Sequence, residues 1–138
     1  MKVTIIIPNY NGKHFMDPCL ASLKKQTYKD FKILIVDNAS SDGSIEYMKE
    51  NYPDIEVIAL NKNYGFSKAV NVGIKHSKTP FVILLNNDTT VDPHYVEEMI
   101  KAIEKSPKIF SVSSKMIQMY HPNLIDSAGD LYTVLGWG

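Results

Sequence analysis

Short apolar runs alternate with segments of helical spacing along most of this chain. Four runs are strand-sized and rich in β-branched residues: residues 3–7, 31–36, 55–60 and 81–85. Capping residues and apolar periodicity predict helices over residues 15–26, 44–51, 65–76 and 93–103, and residues 109–119 are predicted to be extended again. Strands that are apolar throughout are covered on both faces, so the sequence predicts an α/β protein with a mostly parallel sheet between two helical layers.

Charge and composition argue against several classes of function. The 15 basic and 15 acidic residues cancel, which leaves no electrostatic footprint for nucleic acid. No run approaches the ~20 apolar residues of a membrane span, and the N-terminus has no signal-peptide pattern. The only cysteine, Cys19, cannot form an internal disulfide. We therefore expect a cytoplasmic protein in which Cys19 is an inert residue on the buried face of a helix.

Polar residues are concentrated directly after the strands. They occupy residues 8–12, 37–43, 61–67 and 86–89. Ligands of open α/β sheets bind outside the carboxyl ends of the strands, so these four loops predict one polar binding edge. Turn chemistry alone also favours Asn, Asp, Gly and Ser at strand ends. It accounts less well for Asn86, Asn87 and Asp88, which follow an apolar strand without Gly or Pro.

Other nucleotide and catalytic motifs are absent. The chain has no G-x-G-x-x-G after the first strand, no P-loop, no G-x-S-x-G elbow and no metal-ligand spacing among its histidines. It also has no arginine, so a bound phosphate would have to be neutralised by lysine, backbone N–H groups or a metal ion.

Four segments, in order and spacing, resemble glycosyltransferase family 2. They are residues 3–11 (VTIIIPNYN), 33–44 (ILIVDNASSDGS), 63–74 (NYGFSKAVNVGI) and 81–92 (FVILLNNDTTVD). The resemblance implies a three-layer α/β/α GT-A fold and inverting transfer of a sugar from a UDP- or dTDP-linked donor to a saccharide or lipid-linked saccharide acceptor. With Asn-Asn-Asp after its fourth strand, the chain is similar to rhamnosyltransferase-like and other cell-surface polysaccharide enzymes.

The resemblance also implies roles for individual residues. Pro8, Tyr10 and Asn11 would line the nucleobase and ribose pocket, and Asp37 would accept a hydrogen bond from the imide of uracil or thymine. Gly65 would allow close backbone approach, and Lys68 would reach the diphosphate.

The segment from Asn86 to Asp88 occupies the position of the family's D-x-D motif. Asn86 and Asn87 would contact the substrate, and Asp88 would bind Mn²⁺ or Mg²⁺, which take oxygen ligands and bridge diphosphate oxygens. Asn86 stands where the motif has its first carboxylate. The diphosphate would then supply the remaining anionic ligands.

We expect residues 1–138 to be one GT-A domain that is cut short. Residues 1–119 would form the donor-binding core, and residues 120–138 an incomplete start of the acceptor-side segment. Inverting transfer needs a general base, and because no later segment matches one, we expect it beyond Gly138. An apolar flank around Ile117, Leu131 and Leu135 would favour self-association. The enzyme could associate peripherally with the inner face of the membrane.

Two alternatives remain open from the sequence. One is a non-catalytic nucleotide-binding module that works with a partner chain. The other is an unrelated α/β protein whose loops resemble the family by chance.

Overall fold

The computed structural model describes residues 1–118, 120–121 and 123–127, which belong to two compact units. The first unit is Met1–Tyr95 and the second begins at Val96. In the part of the chain that is described, no helix is both long and apolar enough to cross a membrane.

A four-stranded parallel sheet forms the centre of the first unit. Its strands are β1 (Val3–Asn9), β2 (Phe31–Asp37), β3 (Glu56–Ala59) and β4 (Phe81–Leu84), in the order β3-β2-β1-β4. Three helices connect them: α1 (Lys13–Lys24), α2 (Ser44–Asn51) and α3 (Phe66–His76). Because neighbouring strands all pair in parallel, their carboxyl ends meet at one edge of the sheet. The predicted alternation of strands and helices around a parallel sheet is confirmed.

Helices α1 and α3 lie on opposite faces of this sheet. Ala69 of α3 packs in one buried cluster with Ile6, Leu34 and Val36. Side chains alternate along a strand, so Ile33 points to the other face. There it lines a groove together with Leu20 and Leu23 of α1. The two central strands are therefore covered on both faces, as predicted.

The edge strand β4 differs from the prediction. Its side chains Val82 and Leu84 are 38% and 47% exposed, although the apolar run predicts cover on both faces. The physical reason is its position: α3 packs against β1 and β2, and the sheet order places β4 outside β1. An apolar run therefore identifies a strand correctly but does not distinguish a central strand from an edge strand.

Element boundaries shift by a few residues from the predicted ones. Helix α1 begins and ends two residues earlier than predicted, and α2 begins at Ser44, whose backbone N–H donates to Asp42 at 3.0 Å. Pro93 lies in the turn before α4 (Tyr95–Ile103) rather than in its first helical turn.

The second unit contains most of α4 and a short antiparallel ladder. Lys101 of α4 forms ion pairs with Glu97 at 2.8 Å and Glu98 at 2.9 Å. Strand β5 (Met116–Ile117) pairs with β6 (Ile125–Ser127). The extended segment predicted over residues 109–119 is regular only at β5 among the described residues. Ile117 is 52% exposed, whereas Leu131 and Leu135 of the predicted apolar flank lie outside the described residues.

A glycine in α3 sets the distance between this helix and the sheet. A Cβ atom at Gly73 would lie 2.6 Å from Cγ2 of Ile6 and 3.2 Å from Cγ2 of Val36. In an open helix Gly→Ala stabilises by up to ~1 kcal/mol, but overpacking a core costs about 1–3 kcal/mol. We expect Gly73→Ala to lower the free energy of unfolding, measured by urea titration. Asn71→Ala, on the exposed face of the same helix, is the control and should not destabilise; equal stability of the two variants would contradict this packing.

Candidate functional site

A buried carboxylate joins the loops that follow β1 and β2. Asp37 is 1% exposed. Its Oδ1 accepts from the backbone N–H of Ser40 at 2.8 Å, and its Oδ2 accepts from the Ser40 hydroxyl and from Nδ2 of Asn9, both at 2.7 Å. A buried charge is costly unless hydrogen bonds compensate it, and here three donors do so. Asp37 therefore holds the β2 loop against the end of β1.

The loop after β4 is tied to the same network. Nδ2 of Asn87 donates to Oδ1 of Asn9 at 2.7 Å. Asn9 is 2% exposed and thus bridges Asp37 to the segment that contains Asp88. Asp37 and Asn87, which follow different strands, are thus linked through the side chain of Asn9, and Asp88 is the next residue of the chain.

Two further contacts tie the β1 loop to the β2 loop. Oδ1 of Asn11 accepts from the backbone N–H of Ser41 at 2.8 Å, and the backbone N–H of Lys13 donates to Asp42 at 2.9 Å. Burial alone would raise the pKa of the Asp42 carboxyl, but hydrogen bonds from Ser44 and from the Lys13 backbone hold that pKa below its ordinary value. The Asn11 side chain is thus engaged within the protein.

The loop after β3 brings the N-terminus of α3 to this edge. Oδ1 of Asn38 accepts from the backbone N–H of Tyr64 at 2.9 Å, and Nδ2 of Asn38 donates to Asn63 at 2.8 Å. Gly65, directly before α3, has φ +85°, and apart from its two neighbours in the chain no described residue has an atom within 4 Å of where its Cβ would stand. This backbone conformation favours glycine, and the open space leaves room for a ligand to approach the chain closely.

Asn86 and Asp88 are exposed at the end of β4. The structure gives no hydrogen bond or ion pair to the Asp88 carboxylate or the Asn86 side-chain amide within the described residues. No group of three His, Cys, Asp or Glu side chains in that part of the chain could hold a metal ion. One carboxylate with one neighbouring amide oxygen still fits Mn²⁺ or Mg²⁺, provided that phosphate and water supply the other oxygen ligands.

Cys19 lies beneath this loop: its thiol is fully buried and is 3.9 Å from the backbone oxygen of Asn86. Burial, and then the negative charge of Asp88, raise the pKa of its thiol to about 11. Because the reactive species of cysteine is the thiolate, a thiol with this pKa is inert at neutral pH. This agrees with the expectation from sequence.

The predicted site residues therefore divide into two groups. One group is exposed at the carboxyl edge or has open space beside it: Tyr10, Gly65, Lys68, Asn86 and Asp88. The side chains of the other group make contacts within the protein: Asn11, Asp37 and Asn87. Pro8 is half-buried at the end of β1. The ligand contacts predicted for all of these residues stay predictions.

Sequence reasoning missed the side chains that connect the loops. They are Asn9, Asn38, Ser40 and Asn63. Asn9 carried a usable signal, because it is a polar residue at the end of an otherwise apolar strand. Such a residue is buried with the strand and has to find hydrogen-bond partners there.

Comparison with known proteins identifies the family. The sequence model of glycosyl transferase family 2 matches residues 4–127, and the chain belongs to this family. It is 34% identical to the glycosyltransferase GlyA of Streptococcus pneumoniae over 104 residues, which are 74% of this chain and 15% of that protein.

Two solved structures have the same fold. A structure of Staphylococcus aureus TarS 1-349 in complex with UDP has a TM-score of 0.67 and 23% identity, over 86% of this chain and 40% of TarS 1-349. The mannosyltransferase PcManGT of Pyrobaculum calidifontis, in complex with GDP-Man and Mn²⁺, has a TM-score of 0.68 and 23% identity, over 77% of this chain and 33% of its own. The fold is therefore GT-A, and the chain spans well under half the length of these relatives.

The buried network makes Asp37 a stabilising residue whether or not a ligand is present. Asp37→Ala would leave the backbone N–H of Ser40 without its acceptor, and Nδ2 of Asn9 would keep only its longer contact, 3.2 Å, with the Ser40 hydroxyl. An unsatisfied buried polar group costs about 1–3 kcal/mol, so we expect the free energy of unfolding, measured in urea, to fall by at least that amount. The exposed Asp54 offers a control, since Asp54→Ala should change stability by less than ~0.5 kcal/mol. Similar losses in the two variants would mean that the network does not stabilise the fold.

Proposed function

We propose that this chain binds a nucleotide-diphosphate sugar, UDP- or dTDP-linked, through a divalent metal ion held by Asp88. It would be the donor-binding part of an inverting glycosyltransferase of cell-surface polysaccharide synthesis. The proposal rests on Asn86 and Asp88, whose side chains are exposed and make no hydrogen bond or ion pair within the described residues. Asn87, which lies between them, donates to Asn9, and Asn9 donates to Asp37. These hydrogen bonds hold the pair at the same edge as the loops after β1 and β2.

The base and ribose would lie on the loop after β1. The ring of Tyr10 is 53% exposed, and an exposed aromatic face at a ligand edge is suited to stacking on a nucleobase. Pro8 and the backbone around Asn11 would line the same pocket. The burial of Asp37 favours a role in holding this pocket together over direct contact with the imide of uracil or thymine.

The diphosphate would lie between the metal ion and the start of α3. This helix has 11 residues and no acidic residue in its first turn, and the positive end of a helix dipole favours phosphate. Gly65 leaves space for close approach, and Lys68 is exposed in the first turn. The metal would bridge the phosphate oxygens and stabilise the charge that develops on the leaving diphosphate.

We propose that the catalytic base and the pocket for a saccharide or lipid-linked saccharide are not formed by residues 1–138. The greater length of the relatives supports this. A non-catalytic module would bind the donor equally well, and sugar transfer by a longer form of the chain would distinguish the two.

The metal assignment leads to a binding prediction. UDP or dTDP should stabilise the chain against thermal unfolding in Mn²⁺ or Mg²⁺ but not in EDTA. At ~100 times its dissociation constant, a ligand adds about 2.7 kcal/mol to the free energy of unfolding. Asp88→Asn should abolish the dependence on metal, because the only carboxylate of the turn is lost.

Two controls make this test specific. Asp54→Asn removes an exposed carboxylate remote from the turn and should bind UDP with Mn²⁺ as the wild-type chain does. Equal stabilisation by UDP in EDTA and in Mn²⁺ would refute the metal site, and absence of stabilisation by either nucleotide would refute the donor site.

A further inference from the structure

The side chain of Asn87 is directed into the protein, between two exposed neighbours. Asn87 is half-buried and donates to Asn9, whereas Asn86 and Asp88 are exposed. Gly12 lies against this contact: a Cβ atom there would be 2.1 Å from Nδ2 of Asn87 and 2.6 Å from Oδ1 of Asn9. Only glycine at position 12 allows the two amides to approach each other.

The charge of Asp37 determines the direction of these hydrogen bonds. An ionised carboxylate only accepts, so Asn9 must turn its Nδ2 towards Asp37 and its Oδ1 towards Asn87. Asn87 must then be a donor. An amide meets this requirement, but an ionised carboxylate at position 87 would place acceptor against acceptor.

We infer that Asn87 is a positioning residue of the donor site: through Asn9, it fixes the turn carrying Asp88 relative to the loop after β2. The inference rests on the proposed function, in which Asp88 binds the metal of a nucleoside diphosphate. It differs from the expectation from sequence that Asn87 contacts the substrate itself. The side chain that would do so is already engaged with Asn9.

Asn87→Asp separates the two roles, because they predict opposite effects. If Asn87 were a direct ligand, a carboxylate would bind Mn²⁺ at least as well as the amide does. If it positions Asp88, the substitution disrupts the contact with Asn9 and weakens binding. We expect the dissociation constant of UDP at saturating Mn²⁺ to rise about tenfold, measured calorimetrically well below the unfolding temperature of both proteins. A purely stabilising role would lower the unfolding temperature without changing this affinity.

Asn51→Asp is the matched control. It makes the same change from amide to carboxylate at the exposed end of α2, outside the four loops, and it also removes a donor, because Nδ2 of Asn51 donates to the backbone oxygen of Tyr47 at 3.0 Å. Its affinity for UDP should stay within about twofold of wild type. An equal loss in Asn51→Asp and Asn87→Asp would assign the effect to the change of amide to carboxylate in general and overturn the inference. Unchanged or tighter binding by Asn87→Asp would also overturn it.

A second variant tests the coupling without ligand. Gly12→Ala displaces Asn87 while the sequence of the turn stays wild type, so the amide resonances of Asp88 and Thr89 should shift in the free protein. Unshifted resonances would overturn the inference. If Gly12→Ala does not fold, the affinity of Asn87→Asp decides the question. If the wild-type chain binds no UDP in Mn²⁺, the proposed function is wrong, and Asn87 then has no role in a donor site. Shifted resonances in Gly12→Ala would in that case show a structural coupling between Asn87 and the turn and nothing more.

Discussion

The arrangement of the carboxyl edge depends on one buried carboxylate and the donors around it. Asp37 would be costly to bury alone, and its charge is compensated by Asn9 and by the backbone and hydroxyl of Ser40. Because Asn9 belongs to β1 and Asp37 ends β2, satisfying the carboxylate also fixes the relative position of the two central strand ends. The loop after β4 then joins through Asn87. The hydrogen bonds that compensate this one buried charge thus fix the loops after β1, β2 and β4 relative to one another.

The strands beneath this network are buried and regularly paired. The side chains of β1 from Val3 to Ile7 are fully buried, and β1 pairs with β2 in continuous register as far as Asn9 and Asp37. Side-chain hydrogen bonds of 2.7 Å depend on the separation of the backbones that carry them, and this regular pairing sets that separation. The close approach of α3 at Gly73 packs one face of the sheet. The packing of the apolar core therefore sets the positions of the polar side chains at the edge.

The sequence predicts the sheet well and the site only in part. Apolar runs and helical periodicity locate each strand and helix of the first unit, because these signals are local. They do not reveal that β4 is half-exposed, since this depends on strand order. The loops were expected at one edge, and they lie there. What the sequence could not provide is the direction of each polar side chain: Asn87 finds its acceptor 78 residues away at Asn9, and no local pattern encodes that partner.

Electrostatic repulsion between carboxylates also explains why asparagine is abundant at this edge. In the proposed function, a nucleoside diphosphate and the Asp88 carboxylate would bring negative charge to the site, and further buried carboxylates would repel both. An amide carries a donor and an acceptor without net charge. Asn9 can therefore donate to Asp37 and at the same time accept from Asn87. Asn38 connects the loops after β2 and β3 in the same way, accepting from Tyr64 and donating to Asn63. Amides connect the loops, with one carboxylate buried among them and another exposed. This arrangement would suit the metal ion and the anionic ligand of the proposed function in a chain that has no arginine.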